Sequence, residues 1–256
     1  NHEEKLSWGD WHFALGLQRA LTRAGHFARI DILPDWATQQ GAGDDVVIVL
    51  RGLSAWKPVA SKINLLWLIS HPDDVPLSEL DAYDHVFVAS ESYAEVLRRR
   101  LGDRVSPLLQ CTDPALFHDG GERDAAADPA AVPDLLFVAN SRGVRRPIID
   151  DAVRAGLDVG VYGSRWDGLI PEKQIRGTYL PNERLRHHYA NAKIVFNDHW
   201  QDMKREGFVS NRIFDAGACG ATIVSDDVPG MADLFGDAVA TYRNADDLGG
   251  TVRALL

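Results

Sequence analysis

Cysteine is scarce here: Cys111 and Cys219 are the only two in 256 residues, and neither sits in a metal-type spacing. That excludes a disulfide framework and a zinc ribbon, and it predicts two free, buried thiols in a reducing compartment. No apolar run approaches the roughly 20 residues that span a bilayer, so no transmembrane segment is expected. No secretory leader is visible either, and Asn1 is not a natural start, which leaves room for residues upstream. Cations are outnumbered, with 27 Lys and Arg against 37 Asp and Glu for a formal charge of −10. This balance argues against a nucleic-acid partner, whose footprint is a basic patch. It does not argue against a single nucleotide, which needs only one local cationic pocket. No His, Cys, Asp or Glu cluster has metal-ligand spacing, so neither a metal nor another cofactor is expected. What is present, 45% hydrophobic and 25% charged residues, describes a globular protein expected in the cytoplasm, with a peripheral membrane position left open.

Strand-like and helix-like segments alternate along the chain. Helices are predicted at 11–24, 77–83 and 92–101, and strands at 27–33, 46–50, 65–70, 85–89 and 105–110. Residues 119–132 (DGGERDAAADPAAV) carry no apolar period and read as a linker. The alternation then restarts: strands at 135–138, 159–162, 193–196, 221–224 and 238–242, helices at 146–155, 182–192, 212–218, 231–235 and from 245 onward. The fold class is α/β, with an N-terminal Rossmann-like domain at 1–118 and a second at 133–256. The first strand of such a domain normally precedes helix one, and none precedes residue 11, so that strand is expected to be absent from the chain.

The rest is organised around residues 206–227, EGFVSNRIFDAGACGATIVSDD. Glu206 and Gly207 open a loop, and Ser210 or Asn211 caps a helix that begins near Arg212. Gly220 stops that helix before a β-branched strand. The free N–H groups of such a helix start suit a phosphate, and Asp215 is about one turn further on, within reach of a sugar hydroxyl. Taken alone, the pattern is also that of an ordinary α/β unit.

Other groups stand at strand ends. The loop Asn140-Ser141-Arg142-Gly143-Val144-Arg145-Arg146 places guanidinium groups before a helix. Cations at a helix N-terminus oppose its dipole unless an anion is bound or the side chains point away. Gly163 opens a loop ending in Trp166, which either stacks on a base or fills the core. Tyr179 precedes the next helix. Asp198-His199-Trp200 either reaches a cleft or forms a surface turn, and Asp226-Asp227 reads as a solvated turn. In the first half, His71 ends an apolar strand, and Asp10 is either an N-cap or a general base for an acceptor hydroxyl.

The segment SNRIFDAGACGATIVSDDVPG resembles the donor-site segment of GT-B glycosyltransferases, above all the spore-coat (CgeB-type) group within the glycosyl transferases group 1 family. LLWLISHPDDVPLSELDAYDHVFVASESYAEVL is similar to the centre of that family's acceptor domain. The resemblance implies two Rossmann-like domains facing across a cleft, and sugar transfer from a nucleotide-diphosphate sugar to a glycan, lipid or small-molecule acceptor. It implies a metal-independent hexosyltransferase, of retaining type. Asp215 would take the ribose, and Arg142, Arg145 and Arg212 with Ser210 and Asn211 the phosphates. Gly163 and Tyr179 would line the nucleotide pocket, and His71 would touch the donor sugar. Glu206 stands nine residues before Asp215, where retaining members carry a second acid at a spacing of eight. Three other readings stay open: a non-catalytic nucleotide- or glycan-binding domain, a nucleotide-sugar epimerase on the same fold, and an interaction domain of a larger enzyme.

Overall fold

A computed structural model describes residues 5–36, 43–120 and 132–256. The chain forms two compact units, each around its own parallel sheet. The first comprises Asn1–Gln110 together with Trp200–Val209. It opens with helix α1 (Gly9–Arg23), followed by β1 (Val46–Arg51), β2 (Ile63–Leu68), the short α2 (Leu77–Leu80), β3 (His85–Val88), α3 (Glu91–Leu101) and β4 (Val105–Pro107). The strands lie in the order β1-β2-β3-β4, all parallel. Ser90 caps α3 by accepting a hydrogen bond from the Tyr93 N–H at 3.1 Å. Leu66, Leu68, Val86, Val88, Ala94 and Leu97 form the core between sheet and helices.

The second unit comprises Cys111–His199 and Ser210–Leu256. It runs β5 (Leu135–Val138), α4 (Pro147–Arg154), β6 (Val159–Tyr162), β7 (Ile175–Gly177), α5 (Asn182–Asn191) and β8 (Ile194–Asn197). The chain then returns to the first unit through α6 (Gln201–Glu206), whose Met203, with Phe208 beyond it, joins the first core. It comes back as α7 (Asn211–Ala218), β9 (Ile223–Asp226), α8 (Met231–Phe235), β10 (Val239–Tyr242) and α9 (Ala245–Leu255). Strand order is β10-β9-β8-β5-β6-β7, again all parallel. The central strands β8 and β9 are buried at every position, as expected where helices cover both faces of a parallel sheet. From β5 the chain moves first to one side and later to the other, so the sheet has a switch point between β5 and β8. Side chains and loops at the carboxyl ends of strands flanking such a point are the usual ligand-binding position in open α/β sheets.

Several expectations are corrected. No strand forms at 27–33: Phe27 is 91% exposed, the Ala28 carbonyl is taken by the Gln18 side chain at 2.8 Å, and Arg29 pairs with Asp31 and Asp44. An apolar pattern without a neighbouring ladder does not hold an extended chain. Glu206 ends helix α6 rather than lying in a loop, and Gly207, at φ 75°, supplies the left-handed cap. Cys111 is exposed, while Cys219 is buried. The expected linker lies mostly outside the described residues, at 121–131, and the two units part in sequence between Gln110 and Cys111. Among the described residues no helix is long and apolar enough to cross a membrane.

Candidate functional site

At the carboxyl ends of β5 and β6, two loops are stitched together. Asn140 Oδ1 accepts from the Ser164 N–H and hydroxyl at 2.8 and 3.0 Å, and the Ser141 N–H donates to the Ser164 carbonyl at 3.0 Å. The Ala139 carbonyl accepts from Trp166 Nε1 at 2.8 Å. Gly163 allows this approach: at φ 146°, a Cβ there would stand 2.0 Å from the Ala139 oxygen. Trp166 is thereby only 1% exposed, edge-on to Phe137, so its ring fills the core and does not offer a face to a base.

Arg142 follows in the left-handed region at φ 56°, a conformation that costs a non-glycine residue roughly 1–2 kcal/mol. Its neighbour Gly143 is also left-handed, and the Gly143 N–H closes onto Ser141 Oγ at 3.0 Å. The next two arginines part ways. Arg145 is exposed and lies against Asp150, with Nε 3.1 Å from both carboxylate oxygens. Arg146 is buried, and both its Nε, at 3.0 Å, and an Nη donate to Asp198 at the end of β8. The anion that the helix start requires for Arg146 is therefore the protein's own carboxylate. Burial raises the Asp198 pKa, and Arg146 opposes that shift.

The start of α7 lies against the end of β8. Ser210 is its N-cap residue but makes no side-chain capping bond. Its own N–H donates to His199 Nε2 at 2.9 Å. His199 Nδ1 meets Asp226 Oδ1 at 2.7 Å, and both residues are buried. Asp226, read from the sequence as part of a solvated turn, is thus the buried end of β9, and Asp198-His199 is buried as well. The sign overlooked was registry: Asn197 pairs with Ser225 across the β8–β9 ladder, which puts two polar strand ends side by side. Asn197 Nδ2 donates to Ser225 Oγ at 3.0 Å, and Arg212 Nη1 donates to Asn197 Oδ1 at 2.6 Å.

Arg212 also lies over the Phe137 ring at 5.2 Å. Among the described residues no carboxylate comes within ion-pair distance of it, and burial lowers its pKa. One turn on, Asp215 accepts from Thr112 Oγ1 at 2.7 Å and from Asn211 Nδ2 at 2.9 Å. Burial dominates and pushes its pKa from 3.8 up to about 7. Asn211 Oδ1 is buried and accepts no hydrogen bond. Each carboxylate oxygen of Asp215 keeps a lone pair free for a further donor. Ser210, Asn211, Arg212 and Asp215 are thus brought together, with Arg142 and Gly163 on the loops at the ends of the neighbouring strands. Tyr179 is 44% exposed beyond β7, and Arg145 is turned away to Asp150.

The three residues read from sequence as catalytic all lie in the first unit. Asp10 is in the first turn of α1, where its Oδ2 stands 3.0 Å from the position of a Cβ on Gly52, the residue just after β1. His71, left-handed at φ 52°, follows the neighbouring strand end, with Nδ1 3.8 Å from Asp202 and its ring 5.9 Å from Trp200. Glu206 accepts at its carbonyl from Ser90 Oγ at 2.5 Å and at its carboxylate from Arg205 Nε at 2.8 Å, and Arg205 also holds Asp73. Among the described residues no group of three or more His, Cys, Asp or Glu is placed to hold a metal ion.

Residues 142–256 match a family model described as glycosyl transferase-like. The solved structure of AviGT4, a glycosyltransferase involved in avilamycin A biosynthesis, superposes with a TM-score of 0.59 at 13% identity, over 98% of this chain and 86% of that one. An α-glucosyltransferase in complex with UDP-glucose and DNA containing an abasic site gives 0.61 at 11% identity, over the same shares. An α-glucosyltransferase structure with UDP and a 13-mer DNA gives 0.56 at 10% identity, over 97% and 86%. The chain has the GT-B fold. No curated protein sequence matches it. The family match is confined to residues 142–256, and the likeness to these structures shows the fold alone.

Proposed function

We propose that this GT-B chain moves a sugar from a nucleotide-diphosphate sugar to an acceptor hydroxyl. The observation that carries the reading is Arg212: a partly buried guanidinium at the start of α7, beside the sheet's switch point, held by a neutral amide rather than a carboxylate. A guanidinium bonded to an amide, with Asp198 and Asp215 acting on it without forming an ion pair, suits a diphosphate, whose charge the adjoining helix start also favours. In this reading Arg212 and Arg142 take the phosphates, and Asp215 with Asn211 Oδ1 takes the ribose hydroxyls. Arg145, exposed beside Asp150, is the third cation assigned to the phosphates. His71 is the group assigned to the donor sugar, and Asp10 and Glu206 are the carboxylates assigned to the acceptor side and the sugar respectively.

The departing diphosphate would be stabilised by these cations and the helix end without a metal ion, a form of preorganised electrostatic catalysis. The wording of residues 210–230 supports the spore-coat group, and Glu206, nine residues before Asp215, is the acid assigned to a retaining hexosyltransferase. The glucosyltransferase neighbours were solved with DNA, but a formal charge of −10 opposes a DNA acceptor here and favours a glycan, lipid or small molecule.

A thermal-shift series with UDP-, GDP-, TDP- and ADP-linked sugars, each with and without EDTA, tests the reading. A ligand at about 100 times its dissociation constant stabilises a fold by about 2.7 kcal/mol. One nucleotide is expected to raise the melting midpoint selectively and to do so in EDTA. No shift with any of the four would defeat the donor reading, and a shift abolished by EDTA would defeat metal independence.

A further inference from the structure

The polar groups around α7 close on themselves. Arg212 donates to Asn197, Asn197 to Ser225, and Ser225 Oγ stands 3.2 Å from Asp226 Oδ1. Asp226 meets His199 Nδ1, and His199 Nε2 receives the N–H of Ser210, two residues before Arg212. The ring is anchored on the buried ends of β8 and β9, and it grips the first turn of α7 by its backbone and by a side chain. A second contact reinforces the first: the Asp226 carboxylate also faces the His199 N–H, at 3.4 Å.

The protonation pattern follows from the partners. A backbone N–H only donates, so Nε2 must be the acceptor, and the other group near it, Asn197 Nδ2 at 3.5 Å, is a donor too. The imidazole proton therefore sits on Nδ1, facing Asp226. This is a neutral histidine with both nitrogens committed, the arrangement by which a carboxylate fixes the tautomer of a working imidazole. Here the imidazole holds a backbone amide. Ser210, Asn211, Arg212 and Asp215 follow directly from the amide it fixes, and they carry most of the donor contacts proposed above.

The geometry points to His199 as a positioning residue for donor binding, acting through the Ser210 amide, with Asp226 as its orienting partner. This rests on the donor reading of the same site. His199 touches no substrate; it sets where the α7 start presents its N–H groups and Arg212. Its Nε2 acceptor is the functional part, and the rest of the ring serves to aim it.

Two variants separate acceptor from bulk. In His199→Gln the side-chain oxygen reaches the place of Nε2 and still accepts from Ser210. In His199→Asn the amide nitrogen occupies the place of Nδ1 and still serves Asp226, but nothing reaches Ser210. Amide exchange at Ser210 and calorimetric titration with inorganic diphosphate and with whichever UDP-, GDP-, TDP- or ADP-linked sugar raises the melting midpoint are the readouts, on proteins whose melting shows they are folded. Expected are protection of the Ser210 amide in the wild type and in His199→Gln, fast exchange in His199→Asn, and roughly tenfold weaker binding in His199→Asn alone, the loss of one hydrogen bond. Equal binding by the two variants, or a Ser210 amide freed in His199→Asn with no change in binding, overturns the assignment while leaving the donor reading intact. A wild type that binds neither probe defeats the donor reading and this inference together.

Discussion

The Thr112 hydroxyl donates to Asp215 Oδ1 at 2.7 Å, although 103 positions separate the two residues. Thr112 is among the first residues of the second unit, and Asp215 lies on α7, after the chain has returned from the first unit. This bond favours the ionised carboxylate, as does the Asn211 side chain, against a larger push from burial. Burial wins over these bonds, and the Asp215 pKa is pushed up to about 7.

Its effect on stability has a definite sign. The folded pKa, about 7, lies above the ordinary 3.8, so the folded state holds the proton that the unfolded chain releases. The stabilisation is complete below about pH 4 and is lost as pH rises to about 7, above which the curve is flat. Urea denaturation of the wild type against Asp215→Asn is the check. The stability difference between them should fall as pH rises across this window, and a constant difference would remove the shift.

Donor affinity runs the other way. Ribose hydroxyls donating to the carboxylate favour its ionised form, so affinity should weaken below about pH 7, by up to about tenfold per unit. Thr112→Val, which removes a bond that lowers the Asp215 pKa, should move the midpoint upward. Calorimetry with the nucleotide sugar selected by thermal shift reads both effects.

Arg212→Gln keeps a donor for Asn197 and removes the charge. We expect about 10–100-fold weaker donor binding, the scale of one or two charge-assisted hydrogen bonds. An unchanged dissociation constant in a folded variant would sink the phosphate role.

Gly163→Ala places a Cβ 2.0 Å from the Ala139 carbonyl oxygen, on a backbone that side chains rarely adopt. The carbonyl is also the partner of Trp166, so it has little freedom to retreat. A loss of about 3 kcal/mol in urea denaturation is expected.

The Arg146–Asp198 pair is buried on both sides. Asp198→Ala strands a guanidinium and should cost about 3–5 kcal/mol, whereas the double change Arg146→Met with Asp198→Leu should recover most of it. A double-mutant cycle on stability measures the difference.

Where neighbours in sequence decide structure, the sequence was readable. Ser210 does precede α7, Gly220 beyond it is left-handed at φ 73°, and the alternation of strands and helices does give two parallel sheets. Arg212 and Asp215, three positions apart, lie within one turn of α7, as their spacing implies. What escaped depended on partners far away. His199 and Asp226 look like surface polar residues until β8 is laid beside β9. Arg145 and Arg146 are the same residue type in adjacent positions, and only the place of Asp198 makes one buried and leaves the other outside. Residues 27–33 have the composition of a strand but no strand to pair with. Trp166 was ambiguous by nature, since a large ring serves a pocket or a core equally well, and the Ala139 carbonyl decided it.

The excursion through Trp200–Val209 means that neither unit is encoded by one uninterrupted stretch. Cutting the gene between Gln110 and Cys111 would leave the first piece without Met203 and Phe208 in its interior, and would leave the second with those side chains facing water. Engineers wishing to exchange one unit between proteins of this fold cannot swap a half. They must carry α6 with the unit it packs against, or transplant the second unit with its own 200–209 replaced by the recipient's.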